Sequence, residues 1–309
     1  MNGSPTSIAP SPNRLLTPPE ILQLDESGAD ALLERLEATV PVLSSLVDLP
    51  GDPFREAIVF GDSHGDWHST VRVADQFLFA PETRCLVGLG DYIDRAPDDC
   101  GEGSVANAFY LLQLVAQFPG RVFLLQGNHE TVRRLSVVPH DLPEEVDLLW
   151  GPEPDRYNRL VGLLERGPLA AVSPSGVYLA HAGFPRGALP LEWRDAFDNI
   201  GDDRLAEIVW AECRASRNRR GATVAFSESD LMHFLSATGQ RVMLRGHDAD
   251  LAGRSVFHDR CLTLHSTRLY EQFGGVLFAR VPLDHPVRTT QDVLLEHVET
   301  EGKEFPPPS

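Results

Sequence analysis

Aspartate and histidine side chains follow the first of several short apolar runs in this chain. Asp62 and His64 stand in the segment Gly-Asp-Ser-His-Gly, directly after residues 57–60, which are all apolar. Residues two apart in an extended chain point to the same side, so we expect both side chains to bind one metal ion. Taken alone, the segment is also typical of a polar turn with a solvated aspartate.

A second acidic segment, residues 90–95, has the sequence Gly-Asp-Tyr-Ile-Asp-Arg and follows a largely apolar run at 85–89. We expect Asp91 to bridge two cations with its two carboxylate oxygens. Asp94 and Arg95, taken alone, indicate no more than a surface ion pair. Bridging by Asp91 is favoured because further candidate ligands follow along the chain.

Three more segments place an amide or an imidazole group beside glycine after an apolar run. They are Gly-Asn-His-Glu at 127–130, His-Ala-Gly at 181–183 and Arg-Gly-His at 245–247. An asparagine carbonyl suits a hard divalent ion, and imidazole suits zinc, iron, manganese or nickel. Each histidine alone is more typical of a structural residue, and His129 is a candidate for either a ligand or an acid.

Together these residues make a donor set that is rich in oxygen and nitrogen. The six expected metal ligands are Asp62, His64, Asp91, Asn128, His181 and His247. With Asp91 shared, the set suits two divalent cations about 3.5–4 Å apart. Such a pair holds the attacking and leaving oxygens of a displacement at phosphorus and lowers the pKa of bound water. The set therefore predicts phosphoester hydrolysis.

The elements that must position these residues are strands alternating with helices. Apolar runs predict strands near 57–60, 85–89, 122–125, 177–180, 242–245 and 262–264. Helical periodicity covers 29–46, 67–79, 104–118, 157–165 and 229–237. This alternation predicts an α/β layered fold. In open α/β sheets the active site lies at the carboxyl ends of the strands, where the candidate ligands follow.

The composition is that of an acidic globular protein. Its 309 residues include 27 Lys and Arg against 45 Asp and Glu, a net charge of −18. An acidic surface repels nucleic-acid phosphates, so we expect no nucleic-acid partner. We find no apolar run of transmembrane length, no signal-peptide pattern and no paired spacing among the four cysteines. These features predict a cytoplasmic protein without a membrane partner.

The two ends of the chain differ in composition from its middle. Residues 1–19 are rich in proline and serine, and residues 296–309 end in a run of prolines. Segments of this kind bury little apolar surface and are typical of disordered tails. We therefore expect one catalytic domain, at 20–295, between two tails.

The ordered series of motifs resembles the calcineurin-like metallophosphoesterase superfamily. Within it, the segments at 61–65, 90–96, 127–130, 181–183 and 245–247 are most similar to the phosphoprotein phosphatase family of serine/threonine phosphatases, in a bacterial form. The resemblance implies a β-sandwich flanked by helices. It also implies two divalent ions, manganese or an iron and zinc pair, that activate a hydroxide, and a phosphoprotein or phosphopeptide substrate.

In the resembled family the matching positions have defined roles. The first metal would be held by Asp62, His64 and Asp91, and the second by Asp91, Asn128, His181 and His247. His129 matches the general acid that protonates the leaving oxygen. Asp94 matches the carboxylate that pairs with this acid, and Arg95 matches a phosphate-binding arginine.

A second phosphate-binding arginine is implied after Trp210, where the family has an Arg-Gly step. Arg220 is the best match, with Arg217 and Arg219 as neighbouring candidates and a solvated basic loop as the alternative. Tyr270 matches a tyrosine that lines the site. The expected substrate-binding residues are therefore Arg95, Asn128, Arg220 and Tyr270.

Three positions depart from the family pattern. Ala96 and Ala182 stand where the family usually has glycine, and Gln126 stands where its eukaryotic branch has arginine. None of them is a candidate ligand. A methyl group at Ala96 is tolerable unless the backbone there needs a positive φ.

The same residues are compatible with two other functions. A dinucleoside tetraphosphate hydrolase of the same superfamily shares most of the ligands, although Thr131 and the Asp94-Arg95 step favour the phosphatase. A non-catalytic metal-binding scaffold fits less well, because every ligand and the acid are present. We expect substrate specificity to lie in loops at 136–150 and 189–203, and the segment with His140 and Asp141 to be a surface loop.

Overall fold

The computed structural model describes residues 14–152, 154–215 and 224–299. Within these ranges the chain forms four layers, in which two β-sheets pack face to face and helices cover both outer faces. The prediction of a β-sandwich flanked by helices is confirmed.

In chain order, the strands of the described ranges are β1 (Leu46–Asp48), β2 (Glu56–Phe60), β3 (Arg84–Gly88), β4 (Val122–Leu124), β5 (Ala170–Val172), β6 (Val177–Ala180), β7 (Glu212–Cys213), β8 (Ala225–Phe226), β9 (Val242–Arg245), β10 (Ser255–Val256), β11 (Cys261–Thr263), β12 (Leu277–Pro282) and β13 (Leu294–His297). The α-helices are α1 (Pro18–Ile21), α2 (Glu26–Thr39), α3 (Trp67–Leu78), α4 (Gly103–Gln117), α5 (Leu142–Trp150), α6 (Pro154–Leu164), α7 (Asp202–Val209) and α8 (Glu228–Thr238). Short 3-10 helices lie at Asp98–Cys100, Trp193–Phe197, Ala249–Leu251, Arg268–Phe273 and Thr290–Asp292.

The strands form two large mixed sheets, each of which contains three neighbouring parallel strands. One sheet has the order β13-β12-β2-β3-β4, and β2, β3 and β4 are parallel. The other has the order β1-β5-β6-β9-β11-β10, and β6, β9 and β11 are parallel. A short parallel ladder joins β7 to β8. In each sheet the carboxyl ends of three neighbouring parallel strands therefore meet on one side.

The alternation of side chains along β2 shows how the layers are built. Ala57 and Val59 belong to the apolar core between the two sheets. Ile58 and Phe60 point the opposite way, as strand geometry requires, into the core that α1 to α6 cover. The outer face of the other sheet packs against α7 and α8. Both faces of β2 are thus buried from residue 57 onwards, which explains the apolar run at 57–60.

Several element boundaries differ from the sequence prediction. The helix expected at 29–46 ends at Thr39, because Pro41 disfavours the helical conformation at Val40, which is extended with ψ 119°. The loop expected at 136–150 contains a helix at 142–150. A helix at 202–209, for which no helix was predicted, begins at the end of the loop expected at 189–203. Within the described ranges, the structure contains no helix that could cross a membrane.

The two predicted tails are too long, since residues at the inner end of each are part of the packed structure. Leu16 is buried, its N–H donates to Gln113 Oε1 (2.9 Å), and a helix begins at Pro18. At the other end, residues 294–297 form an antiparallel ladder with β12, and Val298 is buried. Residues 14–19 and 296–299 thus pack on the domain, because a few apolar side chains in these polar segments reach its core.

Candidate active site

Both sheets contribute candidate metal ligands, each from the loop that follows a strand. Asp62 and His64 follow β2, Asp91 follows β3 and Asn128 follows β4. From the other sheet, His181 follows β6 and His247 follows β9. A β-bridge between Asp62 and His265, which follows β11, joins the ends of the two sheets. The site therefore lies across the seam of the sandwich, at the carboxyl ends of its parallel strands.

One group of donor atoms converges around His181. Its Nε2 lies 2.9 Å from Asn128 Oδ1, 3.2 Å from His247 Nδ1 and 3.4 Å from Asp91 Oδ2. Asn128 Oδ1 is also 3.1 Å from His247 Nδ1. All four side chains are buried. The structure thus brings together the four residues that the sequence analysis assigns to the second metal.

A second group lies on the other side of Asp91. His64 Nε2 is 3.8 Å from Asp91 Oδ2 and 3.9 Å from Asp62 Oδ2. His129 belongs to the same group, since its Nε2 is 3.9 Å from Asp91 Oδ2. Asp91 is the residue common to both groups. The six predicted ligands are therefore close together, with Asp91 between the two groups.

The chemistry of these donors fits divalent cations. His181 Nδ1 donates to the Leu89 carbonyl and His64 Nδ1 to the Ile93 carbonyl, both at 3.1 Å. In each ring the Nε2 lone pair therefore faces the other donor atoms. Burial lowers the pKa of both imidazoles and keeps them neutral, the form that binds metal. Several lone pairs converge with no proton between them, an arrangement that a cation stabilises.

The carboxylate of Asp91 points to the same conclusion. Burial raises its pKa to about 7, and the nearby charge of Asp62 acts in the same direction, against the opposing effect of His129. A bound cation would favour the ionised form of such a buried acid. The residues present therefore fit two divalent ions.

Glycines leave room for the donors at two points of close approach. A Cβ at Gly246 would overlap Asp62 Oδ1, and a Cβ at Gly127 would overlap Asp91 Oδ1. This close approach explains why glycine stands next to His247 and Asn128.

Site residues also adopt a backbone conformation that L-amino acids rarely use. The φ angles are 42° at His64, 57° at Asp91, 66° at Asp94, 59° at Arg95 and 69° at His247. Such residues cost of order 1–3 kcal/mol each and persist where the surrounding contacts over-determine them. Asp62 and His64 thus meet through a turn, and the extended geometry assumed in the sequence analysis is wrong for this pair.

His129 is paired with a buried carboxylate. Its Nδ1 lies 2.5 Å from Asp94 Oδ2. Burial opposes the charged form of His129, but the carboxylates of Asp91 and Asp94 outweigh it and raise the pKa of the imidazole. Burial likewise opposes ionisation of Asp94, but hydrogen bonds from His129 and His140 hold its pKa below the usual range. The buried Nε2 of His129 makes no hydrogen bond to any described residue.

Two predicted substrate-binding residues lie at the rim of the donor groups. Arg95 is half-buried and its Nη1 donates to the Tyr270 hydroxyl at 3.4 Å. The Tyr270 ring meets His64 edge-on, with centroids 5.9 Å apart. The Trp210 ring meets His247 edge-on as well, with centroids 5.7 Å apart. The predicted second clamp, Arg220, and its competitors Arg217 and Arg219 lie outside the described residues.

Several contributors to the site escaped the sequence analysis. Arg268 donates to Asp66 at 2.9 Å and to Asp99 at 2.6 Å, which fixes the segment that carries Tyr270 to the start of α3. Its position two residues before Tyr270 is the only signal in the sequence.

The prediction of a surface loop around His140 and Asp141 is wrong, because both residues contact the site. The Asp141 carboxylate accepts from the Arg95 N–H (2.9 Å), and His140 Nδ1 lies 3.0 Å from Asp94 Oδ2. The segment packs inward because the Asp141 N–H donates to Asp94 Oδ1 (2.7 Å) where α5 begins. These contacts bring His140 and Asp141 next to the predicted acid pair.

The three departures from the family pattern leave the donor groups intact. Ala96 does not have a positive φ, so its methyl group is tolerated. The Gln126 amide donates to the carbonyl of Glu165 at 3.1 Å, away from the donors. The Ala182 carbonyl accepts from the buried Arg245 guanidinium at 2.6 Å.

Glu130 holds the loops after β3 and β4 together. Its carboxylate accepts from the backbone N–H groups of Asp91 (2.7 Å), Tyr92 (2.8 Å) and Gly127 (2.8 Å). In Glu130→Gln one N–H would face the new amide N–H₂, so we expect a loss of about 1–3 kcal/mol in the free energy of unfolding by urea. The exposed Glu144→Gln control should stay within about 0.5 kcal/mol of the unaltered chain. Equal stabilities of the two variants would contradict this role.

Comparison with known proteins finds similarity to curated proteins that are named phosphatases. It is 27% identical over 232 residues to a probable serine/threonine-protein phosphatase of Encephalitozoon cuniculi. The matched region covers 71% of this chain and 48% of that protein. It is 28% identical over 222 residues to a PP2A-like serine/threonine-protein phosphatase of Candida albicans, which covers 69% and 51%. The chain thus spans about half the length of these two curated relatives.

A solved structure and a family model agree with these similarities. The fold is similar to that of a protein serine/threonine phosphatase from Saccharomyces cerevisiae, with a TM-score of 0.65 and 21% identity over 94% of this chain and 92% of that one. The family model described as calcineurin-like phosphoesterase matches residues 57–250, more than half of the chain and all six predicted metal ligands. The chain belongs to the calcineurin-like phosphoesterase family.

Proposed function

We propose that this chain is a metal-dependent protein serine/threonine phosphatase, with two divalent ions, manganese or an iron and zinc pair. Its catalytic domain would comprise 20–295 together with the packed residues 14–19 and 296–299. The observation that carries the proposal is the position of His129 Nε2. It is buried, it makes no hydrogen bond to a described residue, and it lies 3.9 Å from the Asp91 oxygen that both donor groups share. The named activities of the curated relatives support the same substrate class.

The side chains around the donor groups divide the work of phosphomonoester hydrolysis. When bound, the ions supply the charge that polarises a phosphoryl group and activates water. Arg95 binds phosphoryl oxygens through its planar guanidinium, beside Tyr270. Asp94 favours the imidazolium form of His129, whose Nε2–H then donates its proton to the leaving oxygen. Arg220 is the proposed second phosphate clamp.

The proposed substrate is a phosphoserine or phosphothreonine side chain of a protein in the cytoplasm. All four cysteines, Cys85, Cys100, Cys213 and Cys261, are free thiols in the structure. This supports a reducing compartment, because disulfides are rare in the cytosol.

The substrate class can be tested directly on the purified full chain. With added Mn²⁺ we expect faster hydrolysis of phosphoserine and phosphothreonine peptides, measured as released phosphate, than of a dinucleoside tetraphosphate, measured as its nucleotide products. Chelation should abolish this activity, since the donors then have no cation to share, and Mn²⁺ should restore it. Metal analysis before chelation should find two equivalents. Preferential cleavage of the dinucleoside tetraphosphate would favour the nucleotide hydrolase instead, and activity that survives complete chelation would reject metal dependence.

A further inference from the structure

His140 is a partly buried histidine that the metal donor groups do not include. Its side chain is 15% exposed. Its Nδ1 lies 3.0 Å from Asp94 Oδ2, and its Nε2 lies 2.9 Å from the hydroxyl of Tyr157 on α6. The same Asp94 oxygen is the partner of His129 Nδ1, at 2.5 Å. Two imidazoles therefore converge on one carboxylate oxygen.

The remaining contacts of Asp94 show which groups hold each of its oxygens. Asp94 Oδ1 accepts from the backbone N–H groups of Asp141 (2.7 Å) and Leu142 (3.0 Å). Among the described residues, the hydrogen-bond partners of Oδ2 are the two histidines. The backbone thus fixes one oxygen, whereas the direction of the other depends on His140 as well as on His129.

The hydrogen bonds also determine which nitrogen of His140 carries its proton. Because a carboxylate can only accept, His140 Nδ1 must donate to Asp94. In the neutral ring Nε2 is then an acceptor, and the Tyr157 hydroxyl donates to it. The Tyr157 hydroxyl therefore stabilises the tautomer of His140 that can hold Asp94. The tyrosine ring also meets the imidazole edge-on, with centroids 5.6 Å apart.

We infer that His140, held by Tyr157, is a positioning residue for the acid step. It keeps Asp94 Oδ2 in line with His129 Nδ1, and so directs His129 Nε2 towards the leaving oxygen. The inference rests on the proposed phosphatase function. It assigns His140 no contact with substrate or metal, and its effect reaches the reaction only through Asp94 and His129.

The first test separates positioning of the acid from general damage to the site. The metal-loaded full chain and its His140→Ala variant would hydrolyse phenyl phosphate, whose leaving group is poor, and dinitrophenyl phosphate, whose leaving group is good. Only the poor leaving group needs a proton from His129. We expect kcat for phenyl phosphate to fall about tenfold, the usual scale for a residue that orients another. Both KM values and kcat for dinitrophenyl phosphate should change less than about twofold.

Two matched variants control for the volume lost with the ring. His140→Asn keeps an N–H donor where the imidazole has Nδ1–H, so it should recover most of the activity on phenyl phosphate. Tyr157→Phe removes the hydroxyl alone and should give a smaller loss with the same preference for the poor leaving group. Equal losses on both esters, or an asparagine variant as impaired as alanine, would overturn the inference.

The second test needs neither metal nor substrate. The proton between His129 and Asp94 should give a low-field NMR resonance, identified by its absence in His129→Asn. We expect this resonance to shift in His140→Ala and to return towards its original position in His140→Asn. An unchanged resonance in His140→Ala would refute the inference. Failure of the unaltered chain to hydrolyse any aryl phosphate would instead refute the proposed function, and the resonance would still decide the role of His140.

Discussion

Replacing Asp91 by asparagine should lower kcat/KM for aryl phosphates by about 10³-fold or more. The expected metal ligands act as one unit, so removing one of them can cost nearly as much as removing all. Asp91 is the residue that both donor groups share. Asparagine keeps the size of the side chain. It also keeps an oxygen that can accept from the backbone N–H of His129, which lies 3.1 Å from Asp91 Oδ1 in the unaltered chain. It removes the negative charge and one of the two carboxylate oxygens, so we expect fewer than two metal equivalents by mass spectrometry.

The matched control for this variant is Asp98→Asn. Asp98 is exposed, seven positions further along the same loop region, and belongs to neither donor group. Its replacement removes the same charge and should leave kcat/KM and the metal content unchanged within about twofold. An Asp91→Asn protein that retained both metals and full activity would reject the bridging assignment.

Replacing His129 by asparagine should lower kcat for phenyl phosphate by about 10²–10⁴-fold, the usual contribution of a general acid. The asparagine N–H can still donate to Asp94, but nothing replaces Nε2, which would protonate the leaving oxygen. The loss should be much smaller for dinitrophenyl phosphate, whose leaving group departs without a proton. Steady-state kinetics on the two esters measures this difference.

Metal content distinguishes the acid from a ligand, because His129 also lies within reach of His64 and Asp91. If His129 is the acid, the His129→Asn protein should still bind two equivalents. Loss of one equivalent would make it a ligand. Replacement of the exposed His233 by asparagine is the control, and it should change neither the kinetics nor the metal content.

The positions of the metal donors could be predicted because each depends on local sequence. Asp62, Asp91 and Asn128 each follow an apolar strand and stand next to glycine, and parallel strands bring their carboxyl ends to one side of a sheet. Neither observation needs knowledge of distant contacts. The end of α2 is also predictable from Pro41, although the helical spacing of apolar residues continues past it to Leu43.

His140 could not be predicted for the opposite reason. It follows no apolar strand, and its partner Asp94 lies 46 positions earlier in the chain. The contact exists only because α5 begins against Asp94 and α6 brings Tyr157 to the ring. The positive φ angles of His64 and Asp91 are a similar case, since such conformations are imposed by tertiary contacts against the local preference of the residues.

The position of the donors across the seam has a consequence for folding. The donor set expected for the second ion is divided between the sheets, because Asp91 and Asn128 come from one sheet and His181 and His247 from the other. This ion could therefore bind tightly only after the sheets have docked, which would make its binding energy part of the energy of folding. At a free ion concentration 100 times the dissociation constant, one such site adds about 2.7 kcal/mol to the native state. The second ion, once bound, would thus act as a clamp between the two halves of the sandwich, and the supply of metal would influence how long the chain survives as well as how fast it works.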